Sequence, residues 1–109
     1  MLEATKENLR ATMQRSKNEA AAMPGNKWVV VTNDGGTPLR ESNDKGHIAF
    51  YGDRIFSTTT RIKAARVAAE FNSKLEAKGS ETRLFVLLSS VWKEAHIKFM
   101  DEVLNDLLK

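Results

Sequence analysis

Apolar positions are sparse along residues 2–23, and their spacing is helical: Leu2, Leu9, Met13, Ala20 and Met23 share one side of a helical wheel with Thr5, Thr12 and Ser16. No proline or glycine interrupts this run until Pro24-Gly25 end it. The stripe is too thin for a central core element. The pattern therefore predicts an N-terminal helix that packs loosely, lying across its domain or docking on a partner.

Between residues 26 and 57 the period changes to that of short strands separated by turn residues. "KWVVVT" (27–32), "HIAFY" (47–51) and "RIFST" (54–58) are punctuated by "NDGG", "TPLR" and "ESNDKG", which predicts an antiparallel meander. Asp34-Gly35 has the chemistry of a tight hairpin turn. Pro38 cannot donate to a ladder, so its segment is expected at an edge or outside the sheet.

A second helix is expected from about Thr59 to Lys78, capped by Ser57 or Thr58 and stopped by Gly79. Ala64, Val67, Ala68, Phe71 and Leu75 form its core stripe, which leaves Arg66, Glu70, Ser73 and Ala77 facing outward. "TRLFVLL" (82–88) has five consecutive apolar residues and no alternation, the pattern of a strand covered on both faces. A helix between strands normally makes a right-handed crossover, so this strand is placed parallel to a meander strand and inside the sheet, with Phe71 and Phe85 buried where helix and strand cross. Ser89 or Ser90 then caps a last helix to about Leu108. The predicted fold is α+β: a two-layer domain with a short antiparallel meander, one added parallel strand and helices on one face. The helix at 1–25 precedes a compact part at 26–109, all within a single domain.

Composition narrows the classes. A chain of 109 residues can bury a modest core without staples, and the absence of cysteine excludes disulfides, thiolate zinc sites and cysteine nucleophiles. It also suits a reducing, cytoplasmic setting. No window approaches the run of about 18 apolar residues that a membrane span needs. The net charge of +3 is concentrated in residues 58–79, which hold five cations and two anions. That is small beside domains that neutralise many phosphates.

An N-terminal helix, three strands and a helix that opens with cations and contains "KAARVAAEFNSKL" resembles a double-stranded-RNA-binding domain over residues 1–78. The resemblance implies phosphate contacts from Arg61, Lys63 and Arg66. Lys74 shares the shoulder of the same helix with Lys63. Two features depart from the family's outline: "GHI" (46–48) comes later than the family's histidine loop, and thirty residues follow the helix. Glu70 also interrupts the basic face, so the reading from the residues alone is a solvated helix surface.

No catalytic or cofactor signature is found. Asp34, Glu41, Asp44 and Asp53 all lie in or beside Gly- and Asn-rich turns, where Asp is favoured for its bonds to nearby backbone amides, so neither a metal nor another cofactor is expected. His47 has no serine and acid partners nearby in sequence. The last helix is the most unusual element, because Trp92, His96, Phe99, Met100, Val103, Leu104 and Leu107 line one side and Ile97 and Leu108 widen the apolar arc to about half the wheel. That is more than one sheet face covers. The expected function is therefore a non-enzymatic accessory protein acting through protein contact, with Trp92, His96, Phe99, Met100, Val103 and Leu107 as the interaction surface for a second copy or a different protein. The first helix is the competing cover. The format suits a small phage or mobile-element accessory protein, and the alternative function is nucleic-acid binding by Arg61, Lys63, Arg66 and Lys74.

Overall fold

The computed structural model describes residues 2–44 and 46–107; Met1, Lys45, Leu108, Lys109 and the side chains of Leu2, Glu3 and Ala4 lie outside the described part. The chain is α+β, with the order α1 (Leu2–Ala22), β1 (Trp28–Thr32), β2 (Arg40–Glu41), β3 (Ile48–Ala49), β4 (Arg54–Ile55), α2 (Arg61–Ala77), β5 (Leu84–Leu88) and α3 (Ser89–Leu107). It divides into two compact units: residues 1–24 with 93–109, and residues 25–92.

In the unit of residues 25–92, β1 and β5 form a two-stranded antiparallel sheet, with Val30 opposite Val86. A three-stranded sheet in the order β3-β2-β4 is also antiparallel throughout. The expected parallel placement of the strand at 83–88 is thus corrected: β5 runs antiparallel to β1. The physical reason lies on the other flank of β1, where Trp28 and Thr58 exchange backbone hydrogen bonds at 2.7 and 3.0 Å in an antiparallel bridge. Thr58 and β5 both oppose β1 in direction, so they run the same way with β1 between them. α2 therefore does join two segments of like direction, as crossover sterics favour, but it skips one strand.

Alternation along these strands sets the core. Trp28, Val30 and Thr32 pair with Leu88, Val86 and Leu84, and Val30 and Leu84 join Leu39, Phe56, Ala64 and Ala68 in one buried cluster. Val67, Phe71 and Leu75 of α2 pack against it, so the helix stripe read from the wheel is the packed one. Phe85 points to the opposite face and is 45% exposed, which corrects its expected burial. Of β5, Leu84 and Val86 join the cluster under α2 while Phe85 alternates to the other face, and the apolar run concealed that alternation.

The turn after β1 uses Gly35 (φ 135°) and Gly36 (φ 65°), conformations that side chains disfavour. Beyond it the chain returns beside β1 through a bridge from Val31 to Pro38, and the Leu39 amide donates to the Val30 carbonyl at 2.8 Å. α2 is entered from Thr60, two residues later than expected, with no side-chain cap. It ends at Gly79 (φ 73°) in a Schellman motif: the Ser80 amide donates to the Leu75 carbonyl and the Gly79 amide to the Glu76 carbonyl, each at 3.0 Å. α3 begins at Ser89 itself, whose hydroxyl accepts from the Lys27 amide at 2.9 Å.

In the unit of residues 1–24 and 93–109, α1 lies antiparallel to α3. The Arg10 guanidinium donates to the Leu107 carbonyl, Lys17 pairs with Asp101, and the Lys93 ammonium donates to the Met23 and Ala21 carbonyls. Ala20, Met23 and Met100 are buried here.

Candidate functional site

The six expected interaction residues of α3 divide between the units. Trp92 belongs to residues 25–92; it is 4% exposed and its indole N–H donates to the Gly36 carbonyl at 2.9 Å. In the other unit Met100 is buried, and Val103 and Leu107 are half-buried. His96 Nε2 lies 2.8 Å from the Ser16 hydroxyl of α1. Burial holds the His96 imidazole below its ordinary value, opposed by the negative charge of Glu19. Of the six, Phe99 is the exposed one, at 57%.

The four cations of α2 are all exposed. Arg61 stands over the Trp28 ring at 5.3 Å and the Lys74 ammonium over the Phe71 ring at 5.6 Å, so two of them lie on aromatic faces of the same unit. Lys63 and Arg66 make no hydrogen bond or ion pair among the described residues. Two of the four turn acids are accounted for locally: Asp53 accepts from the Asn43 amide at 2.7 Å and Glu41 pairs with Arg54 at 3.6 Å. Among the described residues no three His, Asp or Glu side chains gather as a metal would require.

What the fold does assemble is a groove in the unit of residues 25–92. A cavity of about 410 Å³ is lined by Thr32, Asp34, Thr37, Phe50, Tyr51, Leu75 and Thr82. A second, of about 340 Å³, is lined by Asn33, Asp34, Glu81 and Thr82, and so shares two residues with the first. Four chain segments supply these walls, held by backbone and side-chain contacts. The β1 turn is held by the Thr32 amide on the Thr37 carbonyl at 3.0 Å and by the Trp92 indole. The approach to β5 is tied to it, because the Asn33 amide donates to the Arg83 carbonyl at 2.9 Å and the Thr82 hydroxyl to Asp34 Oδ2 at 3.0 Å. Phe50 meets Phe71 edge to face at 6.0 Å, which turns Phe50 inward while Tyr51 next to it is 87% exposed.

Gly52, next to Tyr51 in the chain, lies against the backbone of β2. A Cβ at Gly52 would stand 2.9 Å from the Glu41 carbonyl carbon, so the chain passes here at a distance only glycine allows. The Gly52 carbonyl accepts from Arg40 Nε at 3.1 Å, and the Asp53 amide donates to the Glu41 carbonyl at 3.1 Å. None of the groove is a linear motif. One local signal did exist in "AFYG": two adjacent aromatics before a turn cannot both face one core, so one of them must be displayed. Scans of the chain against protein-family models, curated proteins and solved structures return no match.

Proposed function

We propose that this chain is a non-enzymatic binding protein that acts by contact with another protein, and that the contact is made at the groove beside Tyr51. The observation that carries this reading is the display of Tyr51: a large aromatic, 87% exposed, at the rim of a cavity of about 410 Å³ and next in the chain to a backbone crossing that admits only glycine. Aromatic side chains held rigidly at a cavity edge are the usual anchors of protein interfaces, because they bury much area for little loss of freedom. The proposed contact is thus a protein contact at the groove and not on the α3 surface expected from the sequence. Of the expected α3 surface, Trp92 and Met100 are buried and Phe99 is displayed.

The experiment is affinity capture with the immobilised chain and its Tyr51→Ala variant, each with and without nuclease. A protein retained after nuclease, and lost in the variant at unchanged thermal stability, supports the reading. Recovery of nucleic acid alone would instead favour the α2 cations, and equal retention by both chains would remove Tyr51 from the site.

A further inference from the structure

We infer that the groove takes an extended peptide segment in which a Lys or Arg side chain neighbours an aromatic or aliphatic one; this rests on the reading of the groove as a protein contact surface. The two cavities are joined through Asp34 and Thr82, and their ends differ in chemistry. One end is walled by Phe50, Tyr51 and Leu75. The other carries the carboxylates of Asp34 and Glu81 beside Asn33.

These carboxylates lack a cationic partner among the described residues. The neighbouring cation, Arg83, is committed elsewhere: its guanidinium donates to the Ser80 and Thr82 carbonyls at 2.6 and 2.8 Å. Asp34 uses one oxygen to accept from Thr82, and a carboxylate has capacity for further donors. A Lys or Arg side chain matches both ends, since its methylene stem covers apolar surface while its charged head reaches the acids. The Thr37 side chain adds a hydroxyl group to the wall between, and the Thr82 hydroxyl, which donates to Asp34, can still accept from a peptide amide. The chain as a whole carries +3, so long-range attraction does not bring a basic segment here. At about 0.15 M salt the more distant cations are screened within about 8 Å, which leaves the two carboxylates of Asp34 and Glu81 against the one guanidinium of Arg83.

The test uses the full chain, isotopically labelled, and three capped peptides: acetyl-Gly-Arg-Phe-amide, acetyl-Gly-Glu-Phe-amide and acetyl-Gly-Arg-Gly-amide. The Arg-Phe peptide is expected to shift the amide resonances of Asp34, Gly35, Tyr51 and Thr82 saturably, in the range of about 1 mM for so small a probe. Replacing Arg by Glu should weaken binding about tenfold or more, because like charges then meet. Replacing Phe by Gly should weaken it about threefold or more, through loss of the aromatic contact. Asp34→Asn and Glu81→Gln should each weaken the Arg-Phe peptide about threefold or more while leaving the folded spectrum intact.

Equal binding of the Arg and Glu peptides, shifts confined to another surface, or no saturable shift up to about 10 mM would overturn the inference. The two readings fail separately. A captured protein that depends on Tyr51, with no response to these peptides, would sink the basic-segment inference alone. Peptide binding at the groove with no Tyr51-dependent capture would sink the proposed function and leave the groove's preference standing.

Discussion

The side chain of Asn72 holds both polar groups of the Leu84 backbone: the Leu84 amide donates to Asn72 Oδ1 at 2.7 Å, and Asn72 Nδ2 donates to the Leu84 carbonyl at 2.9 Å. Leu84 begins β5 opposite Thr32. A further strand would bond to these same groups, so Asn72 stands in for it and blunts the edge. Asn72→Ala removes both bonds and is expected to cost about 1–3 kcal/mol. Calorimetry would show a melting point lower by several degrees, and sedimentation should show more self-association. A variant that melts with the wild type would mean that water replaces the amide without loss.

Leu84 and Phe85 are adjacent apolar residues with opposite fates, 4% and 45% exposed. Leu84→Ala is expected to cost about 2–5 kcal/mol, because it opens a cavity in the cluster under α2. Phe85→Ala should cost much less, about 1 kcal/mol, because much of its ring is already in water. Denaturant midpoints of the two variants check the order, and a Phe85 variant weaker than the Leu84 variant would contradict the register of β5.

At Gly52 a methyl group would meet backbone atoms of Glu41 at 2.9 to 3.0 Å, and backbone cannot swing aside as a side chain can. Gly52→Ala is expected to destabilise by about 1–3 kcal/mol through this overlap. It should also shift the Tyr51 resonances, since that residue is next to the crossing in the chain. Unchanged stability would show that the β2 strand yields at little cost.

The pH dependence of stability should carry the mark of His96. Burial lowers its pKa from the ordinary value of 6.5, against the opposing charge of Glu19. With the folded value below the unfolded one, the unfolded chain takes the proton first as pH falls. Stability is then full above about pH 6.5 and declines as the pH drops through that value toward the folded pKa. Thermal melts between pH 7.5 and 5 should show this decline in the wild type and a flatter profile in His96→Gln. Parallel profiles would assign the acid loss to other groups.

The helices were legible because their information is local. The α2 stripe of Ala64, Val67, Ala68, Phe71 and Leu75 and the stop at Gly79 need nothing beyond their own period and a residue tolerant of positive φ. The direction of β5 was not legible, since it depends on Thr58 taking the other flank of β1, a pairing thirty residues from Trp28 that no window of sequence contains. The broad apolar arc of α3 was visible as an excess. What it could not reveal was the polar seam to α1, in which Ser16 meets His96 and Lys17 meets Asp101. The groove was the least visible of all, because Asp34, Tyr51, Leu75 and Thr82 become neighbours only through tertiary structure.

The position of β1 between Thr58 and β5 also sets an order of events during synthesis. β1 is made early, and its first flank closes once residues near 58 have emerged. Its second flank stays open until Leu84 to Leu88 leave the ribosome, after the whole of α2 has been made. At about 5–20 residues per second that interval lasts a few seconds, and throughout it Val29 to Val31 present an apolar strand with one bare edge. The nascent chain is then most exposed to wrong pairing, and a chaperone acting on this protein would find its target in "WVVVT" and not in the helices.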